Sequence, residues 1–335
     1  MLPRISVSGQ SVTWQKLLAQ AINSPSELLE MLNLPADALP LGKLAGRQFA
    51  LRVPRGYVAR MRKGDPHDPL LRQVFPSHDE EILLPGYSAD PVGDLAAMPV
   101  PGVLHKYHGR ALLVTTGACA IHCRYCFRRH FPYSDANPAS HDWDAAVNYI
   151  ASDSTINEVI LSGGDPLTLS DQRLAPLAQR LSDIPHLRRL RIHTRLPIVL
   201  PERVDEALLD WLSRSRLKAV MVIHANHANE IDAPVANALS RLTQAGVVLL
   251  NQSVLLRGVN DSARTLAELS ERLFEAGVTP YYLHLLDKVQ GASHFDVKPE
   301  HAQQLMQDLR NCLPGYLVPR LVHEHAGAPS KLPVY

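Results

Sequence analysis

Six short apolar runs rich in β-branched residues recur along this chain: ALLVTT from residue 111, EVILSG from 158, LRRLRIHT from 187, KAVMVIH from 218, VVLLNQSV from 247 and TPYYLHLL from 279. Windows of helical period fall between and after them: HDWDAAVNYIAS, DQRLAPLAQRLS, ERVDEALLDWLS, PVANALSRLTQAG and ARTLAELSERLFEAG. Strand signals alternating with helix signals predict repeated βα units and a parallel sheet, so the fold class is α/β. Six units in succession favour an open or complete (β/α) barrel over a doubly wound sheet. Such a barrel collects its chemistry on loops at the carboxyl ends of its strands. The reactive residue types lie there, in GACAIHCRYCFRRH, SGGDPL, IHTRLP, HANHANE, RGVND and DKVQGASHF.

Upstream, Ser11 to about Ser77 reads as helix without strand, in VTWQKLLAQAI, in SPSELLEMLNL with Ser24 as cap and Glu27 three residues on, and in DPLLRQVF. Between Pro76 and Pro101 the chain turns rich in proline and glycine, which predicts an extended linker or wrapping arm. The expected organisation is a helical segment and linker over 1–95, a barrel over 96–315, and a strand-like tail over 316–335 that includes GYLVPRLVHE. Lysine plus arginine number 34 against 33 acids, a balance that gives no global attraction to nucleic acid or to an acidic membrane face. No apolar run approaches the roughly 20 residues of a membrane span, and the first residues lack the apolar centre of a signal peptide. The expected setting is the cytoplasm and the expected partner a small molecule; the oligomeric state is left open, a homodimer included.

Three of the four cysteines fall within CAIHCRYC, residues 119–126. Thiolates are soft ligands, and a tetrahedral thiolate site means zinc or an iron–sulfur cluster. Three thiolates leave one position to fill. Zinc would take His122 or His130 as its fourth ligand. A four-iron cluster would instead keep one iron open to a small chelating molecule, which makes a redox site. HANHANE and the HEH at 323–325 are weaker zinc candidates; His224 and His227, with Asn226, are expected to line a pocket instead. Cys312, in the helical stretch AQQLMQDLRNCL, is expected to be a buried apolar residue.

The CxxxCxxC loop after the first strand, with Tyr125 before its last cysteine and GGDP at 163–166 one βα unit later, resembles the radical S-adenosylmethionine superfamily. The resemblance implies a partial, TIM-like (β/α)6 barrel with an N-terminal helical segment. It further implies a 4Fe–4S cluster on Cys119, Cys123 and Cys126, and S-adenosylmethionine at the open iron against Gly163, Gly164 and Asp165, with Gln252 as another contact.

A longer match, through VPRGYVARM, DPLLRQV, CRYCFRRHF, LSGGDPL, IHTRLPIVLP, NQSVLLRGVND, HFDV and SKLPV, resembles the lysine 2,3-aminomutases. That resemblance implies an isomerase that converts (S)-α-lysine to (R)-β-lysine with a 5′-deoxyadenosyl radical and pyridoxal 5′-phosphate. It gives Lys331 the role of Schiff-base lysine, Arg110 the pyridoxal phosphate group and Arg128 the substrate carboxylate, with Arg129 as rival. Asp287 would take the distal ammonium together with Glu324, which stands where the family usually has aspartate. Two carboxylates favour lysine over glutamate or an apolar amino acid, whereas arginine is harder to exclude because guanidinium also pairs with carboxylates. The short chain end beyond Lys331 resembles those members whose β-lysine passes to a ligase that modifies elongation factor P. A catabolic lysine aminomutase, or a related enzyme for another amino acid, is the alternative.

Overall fold

One sheet carries the whole molecule. The computed structural model describes residues 13–134 and 143–335; Val12, His141 and Asp142, which open two of the expected helices, lie outside the described residues. The strands are β1 (Val103–Tyr107), β2 (Arg110–Thr116), β3 (Glu158–Gly163), β4 (Arg189–Thr194), β5 (Lys218–Ile223), β6 (Val248–Val254), β7 (Thr279–His284), β8 (Arg320–His323) and β9 (Leu332–Pro333). They lie side by side in sequence order. The six expected strands are β2 to β7, all parallel, and the tail adds β8 as a further parallel neighbour of β7. At the two margins β1 and β9 pair antiparallel, with β2 and β8 respectively. Among the described residues no strand pairing joins the margins, so the barrel is partial.

The pleat sorts side chains with period two. Leu113, Leu161, Ile192, Met221 and Leu249 align in register across five strands, none more than 3% exposed. They share one core cluster with the apolar stripes of the surrounding helices, Leu174, Leu177 and Leu181 of Asp171–Ser182 among them. The intervening row, Leu112, Ile160 and Arg191, instead lines the interior cavity. Helix starts are fixed by side-chain caps: Asp205, Asp232 and Ser262 accept from the backbone N–H groups of Leu208, Val235 and Thr265.

The N-terminal segment is helical as expected. Thr13 caps Trp14–Ala19, Ser24 caps Pro25–Met31 through Glu27 N at 3.4 Å, and Asp68 caps Pro69–Arg72. Two further short helices, Lys43–Gln48 and Arg55–Val58, complete it. Trp14, Ile22, Leu28 and Leu71 belong to the same core cluster as the barrel strands. The proline- and glycine-rich arm then crosses to the far side of the sheet, where Ser88 exchanges backbone hydrogen bonds of 2.9 and 3.0 Å with Lys288 and Gln290 after β7.

Cys312 departs from expectation. It is exposed, because the buried stripe of its helix runs through Ala302, Leu305, Met306 and Leu309 and continues into Leu313. Among the described residues no helix is long and apolar enough to cross a membrane.

Candidate active site

A cavity of about 260 Å³ opens at the carboxyl ends of the strands and descends between them. Cys119, Cys123 and Cys126 all line it. Their loop is pinned to the N-terminal segment by backbone hydrogen bonds, His122 N to Arg52 O at 3.0 Å and Arg124 N to Gln73 O at 2.9 Å. The fully buried Arg124 donates twice to Glu80, at 2.8 and 2.6 Å, and Arg129 donates to the same carboxylate at 2.7 Å. Glu80 thereby grips the loop between Cys123 and Cys126 and again just beyond Cys126. Neither His122 nor His130 lines the cavity: His122 Nδ1 lies 2.7 Å from Ala50 O, and His130 Nε2 lies 3.3 Å from Gln290 O. Neither ring therefore shares the cavity with the three thiols, and neither is placed as a fourth zinc ligand. Among the described residues no group of three ligating side chains is placed to hold a single ion.

The glycine element sits directly against the cysteine loop. Gly164 N donates to Thr116 O at 2.7 Å and Asp165 N to Ala118 O at 2.8 Å. Gly163 holds a φ of +120°, and a Cβ on Gly164 would stand 2.3 Å from Ala118 O. Only glycine permits that approach. Gly164→Ala is therefore expected to push the cysteine loop aside at a cost of about 1–3 kcal/mol. Iron and acid-labile sulfide content after reconstitution, read with the melting temperature, checks this; wild-type values of both would refute it. Asp165 lines the cavity, but its carboxylate already accepts from Thr194 Oγ1, Leu167 N and Arg195 N at 2.7, 3.1 and 2.7 Å. It bolts the end of β3 to the end of β4. Burial pushes its carboxyl up to about 6 against those hydrogen bonds.

Arg195 is the principal site residue that sequence reasoning did not single out. It is 4% exposed, donates to Cys123 Sγ at 2.7 Å, and reaches Glu230, Gln73 and Tyr57 at 2.8, 2.8 and 3.1 Å. Asn226 belongs to this network rather than to the pocket lining, donating to Gln73 and to Tyr125 OH at 3.0 and 2.7 Å. His227 is likewise diverted, its Nδ1 accepting from Asn229 N as a turn cap. His224 does line the cavity.

An alternating chain of charge lines the same cavity. Arg128 Nε donates to Asp94 Oδ2 at 2.7 Å, and Lys106 Nζ reaches Asp94 Oδ1 at 2.6 Å and Glu324 Oε1 at 3.0 Å. Lys331 Nζ closes the chain on Glu324 Oε2 at 2.9 Å. Burial opposes ionising Glu324, but Lys331 and Lys106 outweigh it and hold the carboxyl at about 2. Asp287 lines the same cavity and has no ion pair among the described residues; burial pushes it up to about 7, against the pull of Lys331. Arg128, not Arg129, faces the cavity, since Glu80 and the carbonyls of Arg124 and Gly291 take Arg129.

A family model described as a 4Fe–4S single cluster domain matches residues 108–187, which contain the cysteine loop and the glycine element. Over 322 residues, 96% of this chain and 94% of the relative, the chain is 52% identical to an L-lysine 2,3-aminomutase of Escherichia coli strain K12. The chain belongs to the L-lysine 2,3-aminomutase family. It is 49% identical to the Haemophilus influenzae L-lysine 2,3-aminomutase over 99% of this chain and 98% of that one. To the Clostridium subterminale L-lysine 2,3-aminomutase it is 33% identical, over 96% and 77%. Membership makes this aminomutase an isomerase of the radical type, with a 4Fe–4S cluster, S-adenosylmethionine and pyridoxal 5′-phosphate as its cofactors.

The aminomutase cavity fits those groups on its own chemistry. Three thiols line it, with an arginine donor already on one sulfur. Arg110 lines it, stacked over Tyr107 at 4.8 Å and without an ion pair among the described residues. Buried Nε2 atoms of His193, His224 and His284 find no protein partner. Burial pushes His224 down to about 4 and the other two well below the usual imidazole value, so all three are neutral. Unpaired buried donors and acceptors of this kind call for a polar ligand.

Proposed function

We propose that this cavity converts L-lysine to (R)-β-lysine with the residues in the following roles. Cys119, Cys123 and Cys126 hold the cluster; the Gly163–Gly164 backbone receives S-adenosylmethionine, with Asp165 and, from β6, Gln252 as further contacts. Lys331 holds pyridoxal phosphate through its amine, and Arg110 takes the phosphate group as a guanidinium suits it. Arg128 takes the substrate carboxylate, and Asp287 with Glu324 the distal ammonium. When bound, the cluster and S-adenosylmethionine supply a hydrogen-abstracting 5′-deoxyadenosyl radical, and pyridoxal phosphate supplies the delocalised system that lets nitrogen move from C2 to C3. The chain's own contribution is orientation and exclusion of water. Phe127 and Phe131 flank the Arg128 guanidinium at 4.8 and 5.9 Å, and Leu286, Val254 and Tyr125 add apolar surface to the same cavity.

The observation that carries this reading is the placement of a buried cation, Arg128, and two carboxylates, Asp287 and Glu324, in one cavity with the three thiols and Lys331. A substrate with a carboxylate at one end and an ammonium at the other complements that layout. The deciding experiment is an anaerobic assay of reconstituted protein with S-adenosylmethionine, pyridoxal phosphate, reductant and L-lysine, read by chiral mass spectrometry. (R)-β-Lysine is the expected product. An intact, reducible cluster that cleaves S-adenosylmethionine without forming β-lysine would sink the substrate assignment.

Asp287 gives the site a pH signature. With its carboxyl at about 7, a large share is protonated at pH 6, and an arriving ammonium favours the ionised form. Lysine binding is thus expected to release a proton at pH 6 and close to none at pH 8.5, with affinity rising across that interval. Calorimetry in two buffers of different ionisation enthalpy measures the release; equal release at both pH values would remove Asp287 from the ammonium site.

We further propose that the β-lysine passes to a ligase acting on elongation factor P, the use implied by the family members it resembles. Deleting the chain's gene should then abolish β-lysylation of that factor in the cell, and persistence of the modification would refute the link.

A further inference from the structure

Lys106 lies on β1, at one margin of the open sheet, and Glu324 follows β8, near the other. Their ion pair at 3.0 Å spans a seam that, among the described residues, no strand pairing crosses. The Lys106 ammonium is fully spent: Asp94 Oδ1, Glu324 Oε1 and Val92 O lie at 2.6, 3.0 and 2.8 Å, one acceptor for each of its three protons. Its side chain is 16% exposed, so water competes weakly for these contacts. On Glu324 the consequence is asymmetric. Oε1 belongs to Lys106, while Oε2 faces Lys331 Nζ at 2.9 Å. Once the Lys331 nitrogen is engaged by pyridoxal, Oε2 is the one oxygen of Glu324 left for another cation.

We propose that Lys106 is the specificity-determining residue by which this site accepts an ammonium and turns away a guanidinium. An ammonium is a point donor and is satisfied by a single carboxylate oxygen, here Oε2, with Asp287 as a second acceptor. A guanidinium reaches full strength on a carboxylate by the parallel two-oxygen fork, and Lys106 occupies half of that fork. At Glu324, arginine would have to displace the half-buried Lys106 from Oε1 or bind through one hydrogen bond, which leaves Asp287 alone for its remaining donors. The arrangement resolves a choice that two carboxylates alone leave open. The inference rests on the reading of Glu324 and Asp287 as the ammonium site.

The test is equilibrium binding of L-lysine, L-arginine and L-norleucine to pyridoxal-loaded protein without reductant, so that no turnover intervenes, by titration calorimetry. The wild-type chain is expected to prefer lysine over both. Lys106→Met frees Oε1 without restoring a cation and should cut the lysine-to-arginine preference by about tenfold, the scale of couplings between charged groups in contact. Lys106→Arg keeps a cation on Oε1 and should restore the preference. General damage would weaken both ligands and leave their ratio in place. In a Glu324→Gln background, where Lys106 keeps Asp94 as its counter-ion, Lys106→Met should leave the ratio where Glu324→Gln alone sets it. A ratio within about twofold of wild type in Lys106→Met, or a further large change in the Glu324→Gln background, overturns the role of Lys106. If wild-type protein fails to prefer lysine over norleucine, the ammonium site itself is misassigned, a separate failure.

Discussion

Arg195→Met is expected to remove about 3–5 kcal/mol of folding stability, because it strands a buried carboxylate. Glu230 is 0% exposed, and its Oε2 has the Arg195 guanidinium at 2.8 Å. Burial opposes its ionised form, and Arg195 is the first group that holds its pKa down. With methionine at 195, Glu230 must stay charged without its cation or take up a proton, and Gln73 Oε1 and Tyr57 OH lose a donor or neighbour as well. Urea unfolding measures the loss as a lower midpoint at unchanged slope. The double variant Arg195→Met, Glu230→Gln removes both charges and should recover a large part of it. A single variant within about 1 kcal/mol of wild type would mean that the pair is not what holds this wall together. A second readout bears on chemistry. Arg195 donates to Cys123 Sγ at 2.7 Å, and loss of a charged donor to this proposed cluster ligand makes the cluster harder to reduce, so its midpoint potential should fall.

Lys331→Ala is expected to abolish turnover while leaving iron, sulfide and fold in place, since Lys331 is the amine proposed to hold pyridoxal and its side chain contributes one half-buried ion pair, with Glu324. The protein should lose the absorption of covalently held pyridoxal together with β-lysine formation. Retained turnover with that absorption absent would remove Lys331 from the chemistry. The same variant alters acid stability in a defined direction. Glu324, held at about 2 against an ordinary carboxylate near 4.5, contributes stability that is complete above 4.5 and is lost as pH falls toward 2. Without Lys331 that depression shrinks, so the stability difference between pH 6 and pH 3 should narrow relative to wild type.

The sequence announces those parts of this protein that repeat or stay local. Strands β2 to β7 coincide with the apolar runs because a pleat buried on one face and lining a cavity on the other imposes a pattern on consecutive residues. The cysteine loop and GGDP are legible for the same reason: each is a short unit whose spacing carries the chemistry. Asp94, Lys106, Glu80 and the Arg195–Glu230 pair are silent. Apart from the Asp94–Lys106 pair, 12 positions apart, their ionic partners stand 34 to 218 positions away, as with Arg128 and Asp94 or Lys106 and Glu324, so no short window contains both halves. Asp94 lies in an arm whose composition says only that it is irregular. Arg195 left a trace, an arginine just past the last residue of β4 in IHTRLP, but a trace shared with ordinary loop cations. Cys312 shows the opposite failure: helical periodicity places a residue near a buried stripe without deciding between that stripe and its border.

The unjoined margins of the sheet bear on depth. A closed eight-stranded barrel fills its bore with layers of interlocking side chains, and ligands rest on the rim. Here the bore is a cavity: Leu112 and Arg110 of β2, Ile160 of β3, Arg191 of β4 and Tyr282 of β7 line it together with Gly164 and Asp287 from the loops. Reactants can therefore be swallowed end-on, wrapped by strand as well as loop, and a short-lived radical can be generated far from bulk solvent.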